Sequence, residues 1–164
     1  MKRKIKKLLR EGINKSKIIN DINNFLDLEF YSGTNYRDLL QSCELAKGNC
    51  MDVSENLYSY LVKMGYPDND LTIVDLHVPK FDTSNSHHEW QDYDKEFLFH
   101  VVLKYKNLFI DLTGAQFSKE QGGIKLYTKK ELSDLWTKYK LMKKDSKGNY
   151  LGTTSPTNAK IHKF

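Results

Sequence analysis

Apolar residues recur at steps of three and four in three segments of the first 65 residues, and this spacing places them on one face of a helix. The first segment is residues 16–29, where Ser16 is positioned to cap the helix. The second is residues 35–46. The third begins near Cys50 and ends before Gly65, which supplies a stop signal.

The pattern changes after these helices to short runs rich in β-branched and aromatic residues, which are typical of strands. The predicted strands are residues 71–78, 97–105 and 108–113. A tight turn near Lys106 joins the last two strands in a hairpin. A further amphipathic helix is predicted over residues 128–142, where Thr128 and Glu131 have capping-box spacing. This order predicts an α+β fold with N-terminal helices packed on a small antiparallel sheet.

The length of 164 residues suits one domain with its own hydrophobic core. We expect a basic N-terminal arm over residues 1–15, a domain over residues 16–144 and an irregular C-terminal tail over residues 145–164. No run of about 18 apolar residues occurs, so no membrane span is predicted. The two cysteines match no common zinc motif and form no disulfide framework, which favours a reducing, cytoplasmic setting.

The net charge of +5 hides an uneven distribution along the chain. Residues 1–10 carry a net charge of +6, residues 11–118 carry −8 and residues 119–164 carry +7. A basic arm of this kind is either solvated or in contact with nucleic acid, an anionic membrane surface or an acidic protein. Aromatic residues are not interleaved with the basic ones, which disfavours a base-stacking site.

A candidate nucleophile, Cys50, stands at the start of the third helix, where unpaired N–H groups and the helix dipole favour a thiolate. The alternative is that Cys50 only packs in the core, as most free cysteines do. His100 lies in the strand 97–105 and Asp111 lies on the next strand. A turn centred near Lys106 sets the two nearly opposite, with Cβ atoms about 5 Å apart. A Cys–His–Asp triad is therefore a hypothesis that these residues support.

Two segments, GNCMDVSENLYSYLVKMG and HVVLKYKNLFIDLTGAQF, resemble in this order the papain-like and transglutaminase-like cysteine superfamily. The second resembles the pattern H-V-…-I-D-x-T-x-x-Q-F of small bacterial and phage papain-fold proteins. The resemblance covers roughly residues 35–118. It implies a papain/transglutaminase-like core in which Cys50 is the nucleophile, His100 the general base and acid, and Asp111 the group that orients His100. Chemistry of this kind needs no cofactor, and none is expected.

The donors of the oxyanion hole are less clearly marked. Papain-type enzymes have a glutamine shortly before the cysteine, whereas Gln41 lies nine residues upstream of Cys50. Beside the Cys50 backbone N–H, the oxyanion candidates are Gln41, Asn49 and Tyr36. Gln116, which closes the second motif, is expected to have a structural role.

The long polar loop over residues 80–96 is of the length that usually indicates function or mobility. His88 and Trp90 are candidates for substrate binding. An alternative is that His87, His88 and Glu89 bind a metal together with His100 or Cys50. Adjacent histidines point in different directions, so no metal site is predicted.

These features favour a thiol-dependent amide hydrolase or acyl transferase of the protease, glutamine deamidase or transglutaminase type. Its substrate would be a protein or peptide bearing an amide, and its intermediate an acyl-thioester. One alternative is a catalytically silent binding or inhibitory module of the same fold that acts on a protein partner. Another is a binder of nucleic acid or an anionic surface through the basic ends, with strongly salt-dependent affinity.

Overall fold

The structure is a computed structural model that describes residues 12–79, 97–135, 138–144 and 150–151. Its α-helices are α1 (Lys15–Leu26), α2 (Cys43–Ala46), α3 (Cys50–Lys63) and α4 (Lys129–Leu135). Its strands are β1 (Glu29–Tyr31), β2 (Thr34–Asn35), β3 (Leu71–Pro79), β4 (Phe97–Tyr105), β5 (Leu108–Asp111), β6 (Lys125–Tyr127), β7 (Lys138–Lys144) and β8 (Tyr150–Leu151). Short 3₁₀ helices cover Tyr36–Leu40, Asp68–Asp70, Gly114–Gln116 and Lys119–Gln121.

Strands β3 to β8 form one antiparallel sheet in the spatial order β6-β5-β4-β3-β7-β8, and β1 pairs with β2 in a separate hairpin. The predicted α+β class with an antiparallel sheet is therefore confirmed. No helix in the described part of the chain has the length and apolar character needed to cross a bilayer.

The sheet is covered by apolar side chains on both faces. The helices α1 and α3 share one cluster with the sheet, which includes Phe25, Leu61, Ile73, Leu103 and Ile110. The other cluster joins α4 to the sheet and includes Val74, Val102, Phe109, Phe117 and Leu132. Successive residues of a strand point to opposite faces, which explains why Val102 and Leu103 belong to different clusters.

The first helix begins before the predicted cap. Asn14 is the N-cap residue, and its side chain accepts a hydrogen bond from the Lys17 N–H at 3.0 Å. Ser16 lies inside the helix, so its predicted capping role was wrong. Asparagine at this position meets the same need, since its side-chain oxygen satisfies one of the first N–H groups. Ile13 is buried in the core cluster, within the segment predicted as a basic arm.

The predicted helix over residues 35–46 is divided into the 3₁₀ helix Tyr36–Leu40 and α2. The 3₁₀ helix starts with a capping box between Asn35 and Asp38. Ser42 then accepts a hydrogen bond from the Leu45 N–H at 3.2 Å and starts α2 as a new helix. Short polar side chains that bond to nearby backbone compete with a continuous helix, which explains the break.

The predicted helix over residues 128–142 was wrong in its second half. The Thr128–Glu131 capping box is present, with both bonds formed at 2.8 and 3.3 Å, but α4 ends at Leu135. Residues Lys138–Lys144 form β7, which pairs with β3. Pairing along the open edge of β3 outweighs helical periodicity in this segment. In the predicted irregular tail, Tyr150–Leu151 pairs with β7 as β8.

Candidate active site

Cys50 is the first residue of α3 and is half-buried. The helix ladder starts with the bond from the Val53 N–H to the Asn49 carbonyl at 3.0 Å. The Asn49 side chain makes no capping hydrogen bond to this helix, and its amide nitrogen donates to the Leu45 carbonyl at 2.7 Å. The first-turn N–H groups of α3 beside the thiol therefore receive no cap from Asn49, and such groups are suited to an oxyanion.

The position of Cys50 relative to the sheet follows from the next turn of its helix. Ser54 lies four residues later on the same helix face, and its hydroxyl donates to the Val101 carbonyl of β4 at 3.2 Å. That bond docks this face of α3 on β4, next to His100. Cys50 and His100 are close enough for a side-chain hydrogen bond. The structure thus brings the first two predicted residues together.

His100 and Asp111 form a buried pair. The imidazole Nε2 and the carboxylate Oδ2 are 2.8 Å apart, and the two side chains are 0% and 1% exposed. The other carboxylate oxygen, Oδ1, accepts the Thr113 N–H at 3.0 Å. Both oxygens of Asp111 are therefore engaged, which fixes the carboxylate and, through it, the imidazole.

The hairpin register differs from the one predicted. Tyr105 pairs with Leu108 and Leu103 pairs with Ile110, so Lys106 and Asn107 alone form the turn. Lys106 has a φ of 51°, the left-handed conformation that two-residue hairpin turns use. His100 and Asp111 are consequently diagonal rather than nearly opposite. They remain in contact because a shift of two residues keeps the same face and long side chains reach diagonal neighbours.

The protonation of His100 is set by opposing influences. Burial alone lowers the pKa of an imidazole, but the Asp111 carboxylate and the hydrogen bond with Cys50 outweigh it and raise the pKa of His100 to about 10. The site therefore favours an imidazolium between the thiol and the carboxylate. A cysteine paired with such a cation is the arrangement that activates a thiol nucleophile.

Gln116 is the residue whose part in this site the sequence did not predict. It is 1% exposed, and its amide nitrogen lies 3.2 Å from His100 Nδ1 and 3.1 Å from the Thr113 carbonyl. The Phe117 ring stacks edge-on against the imidazole at 4.8 Å. The motif I-D-x-T-x-x-Q-F could have indicated these contacts, because it places Thr113, Gln116 and Phe117 at fixed sequence positions after Asp111.

The three side-chain oxyanion candidates lie at different places. The Asn49 amide bonds to Leu45, as described above. Tyr36 is buried against Phe25 and Phe30, and its hydroxyl bonds to Asn56. Gln41 is exposed and lies beside Gly122 and Gly123. The contacts described here for these three side chains are with residues other than Cys50, and their oxyanion role stays a prediction.

Two further predicted residues, His88 and Trp90, lie outside the described residues, as do His87 and Glu89. The second cysteine, Cys43, is half-buried on α2, and its thiol donates to the Gln116 carbonyl at 3.7 Å. Both cysteines are free thiols. Cys43 provides an internal comparison for the reactivity of Cys50.

An open cavity of about 460 Å³ lies between the start of α1, strand β6 and α4. Its walls include Lys15, Lys125 and Glu131, whereas the three candidate catalytic residues do not line it. This cavity is therefore separate from the candidate active site.

Comparisons with protein-family models, with curated proteins and with solved structures gave no match to this chain.

Proposed function

We propose that this protein is a thiol-dependent amide hydrolase or acyl transferase with a papain/transglutaminase-like core. The observation that carries the proposal is the buried His100–Asp111 pair, 2.8 Å apart, with the Cys50 thiol at the start of α3 near the imidazole. A nucleophile, a base and a group that orients the base are the three parts that thiol acyl chemistry requires.

In this mechanism the Cys50 proton resides on His100 Nδ1, since Nε2 is held by Asp111. The sulfur attacks the amide carbonyl carbon, and the resulting oxyanion accepts the backbone N–H at the start of α3. His100 then gives its Nδ1 proton to the leaving amine, the C–N bond breaks and an acyl-thioester forms. Water, or a second amine, attacks the thioester while His100 takes its proton, and the Cys50 sulfur leaves.

The fold supports this reading at the level of elements. The candidate nucleophile begins a core helix, that helix packs on an antiparallel sheet, and the histidine and aspartate lie on two adjacent strands of the sheet. The papain-like and transglutaminase-like resemblance of the sequence implies an arrangement of this kind. The proposed substrate is a protein or peptide that presents a backbone or side-chain amide.

The test is alkylation of the two cysteines by iodoacetamide at pH 6.5, followed residue by residue with mass spectrometry. We expect Cys50 to react at least about tenfold faster than Cys43, because the neighbouring imidazole and the helix N-terminus activate this thiol as a nucleophile. His100→Ala should abolish the difference and leave Cys43 unchanged. Release of ammonia or amine from glutamine-containing peptides and peptide anilides then identifies the reaction.

A specific observation favours the alternative of a catalytically silent binding module. His100 is fully buried, and its Nδ1 is already in contact with Gln116, so the imidazole is also suited to a purely structural role. That reading predicts equally slow alkylation of Cys43 and Cys50, with no effect of His100→Ala on either rate. This outcome would contradict the enzyme proposal.

A further inference from the structure

Gln116 is anchored so that its amide nitrogen, not its oxygen, faces His100. The Thr113 carbonyl offers only lone pairs, so the group 3.1 Å from it must be the donating NH₂. The same nitrogen lies 3.2 Å from Nδ1, so its second hydrogen points to the imidazole. With Gln116 buried and the Thr113 N–H bound to Asp111, this orientation is tied to the same turn that fixes the carboxylate.

An N–H group can bond to Nδ1 only while that nitrogen has a free lone pair. Nδ1 has such a lone pair in the neutral imidazole whose proton is on Nε2. In that tautomer Nε2 donates its hydrogen bond to Asp111. In the imidazolium, Nδ1 carries a hydrogen that faces the hydrogen of Gln116. The Gln116 contact therefore stabilises one protonation state of His100 and one of its two neutral tautomers.

We propose that Gln116 is a positioning residue that favours release of the Nδ1 proton by donating a hydrogen bond to this nitrogen as soon as it is unprotonated. This inference rests on the proposed function, in which that proton passes to the leaving amine. Within the described part of the chain, the Asp111 carboxylate and Cys50 are the titratable groups that act on the pKa of His100, and both favour the imidazolium. An imidazolium that interacts only with these two groups releases its proton poorly. Gln116 has the opposite effect, because it stabilises the neutral imidazole.

The experiment is a pH titration of His100 by ¹⁵N nuclear magnetic resonance of labelled protein, with the signal assigned by its absence in His100→Gln. In the wild type we expect the neutral imidazole to carry its proton on Nε2. In Gln116→Leu we expect the titration midpoint to rise, corresponding to about a three- to tenfold higher proton affinity, the effect of one hydrogen bond. Gln116→Glu should raise it further, because a carboxylate accepts the Nδ1 hydrogen.

Gln41→Leu is the matched control, because it removes a glutamine amide beside Gly122 and Gly123, and its midpoint should equal the wild-type value. A neutral wild-type imidazole with its proton on Nδ1 overturns the inference without any variant. A midpoint that stays or falls in whichever Gln116 variant folds overturns it as well. The titration needs no turnover. If the Gln116 variants raise the midpoint as expected while Cys50 is unreactive, only the enzyme proposal is rejected.

Discussion

At the residue scale, Asp111 does more than attract a proton. Its Oδ1 accepts the Thr113 N–H and its Oδ2 contacts His100 Nε2, so the carboxylate cannot rotate away from either partner without losing a buried bond. The backbone of the following turn thus fixes the orientation of the carboxylate that the imidazole meets. Charge and orientation at this position can be separated by a substitution that keeps the shape.

Asp111→Asn should slow Cys50 alkylation at pH 6.5 by at least about tenfold. The Thr113 N–H needs an oxygen, so the amide nitrogen of the new side chain must face Nε2. This nitrogen can donate a hydrogen bond only to an unprotonated Nε2. The neutral imidazole then carries its proton on Nδ1, and in that tautomer it cannot act as the base for Cys50. Residue-resolved alkylation measures the rate, with Cys43 as the reference. Unchanged reactivity of Cys50 would show that Asp111 does not act on the thiol through His100.

At the element scale, the start of α1 depends on one side chain outside the helix. Asn14→Ala should lower the free energy of unfolding by about 1 kcal/mol, because it removes the acceptor for the Lys17 N–H. Ser16→Ala is the matched control and should have little effect, since Ser16 lies within the first turn. Urea denaturation of the two variants compares them. A larger loss for Ser16→Ala would contradict the observed cap.

The turn that carries Gln116 requires glycine at position 114, because there is no space for a side chain there. A Cβ on Gly114 would overlap the Gln121 carbonyl oxygen, so Gly114→Ala should cost about 1–3 kcal/mol through overpacking. It should also displace Gln116 and alter Cys50 alkylation. Gly33→Ala is the control, because a Cβ there meets nothing within 4 Å and only the left-handed φ of 78° opposes it. It should lower stability while leaving Cys50 reactivity unchanged. Equal effects of both variants on reactivity would refute a specific role for Gly114.

The elements that the sequence predicted well are those with strong local signals. The helix from Cys50 has regular apolar spacing, and the strands from Leu71 and Phe97 are short runs rich in β-branched and aromatic residues. The candidate triad was predicted from these elements. The sequence did not predict the β4–β5 register, because that register depends on the left-handed conformation of Lys106. The sequence pattern did not predict strand β7 either, because the pairing of β7 with β3 is a long-range contact that local residue spacing does not reveal. The contact of Gln116 with His100 arises only after both are in place.

At the scale of the whole molecule, the candidate site exists only in the folded chain. Cys50 lies at the start of α3, His100 on β4 and Asp111 at the end of β5, so separated parts of the sequence create the environment of one imidazole. A group whose proton affinity depends on such an environment links protonation to folding. The pH dependence of stability is therefore a global readout of the site.

The free energy of unfolding should fall as pH rises from about 6.5 to about 10. The folded state raises the pKa of His100 to about 10, whereas an unfolded histidine has a value near 6.5. The folded protein thus binds the proton more tightly, and this stabilisation is complete below pH 6.5 and lost as pH passes through about 10. Urea unfolding at one-unit intervals from pH 6 to pH 10 measures it. In His100→Gln the decline should be markedly smaller, because the imidazole whose proton affinity rises on folding is absent. An equal decline in both proteins would place its origin outside the His100 site, and a flat wild-type profile would contradict the proton affinity assigned to the buried imidazole.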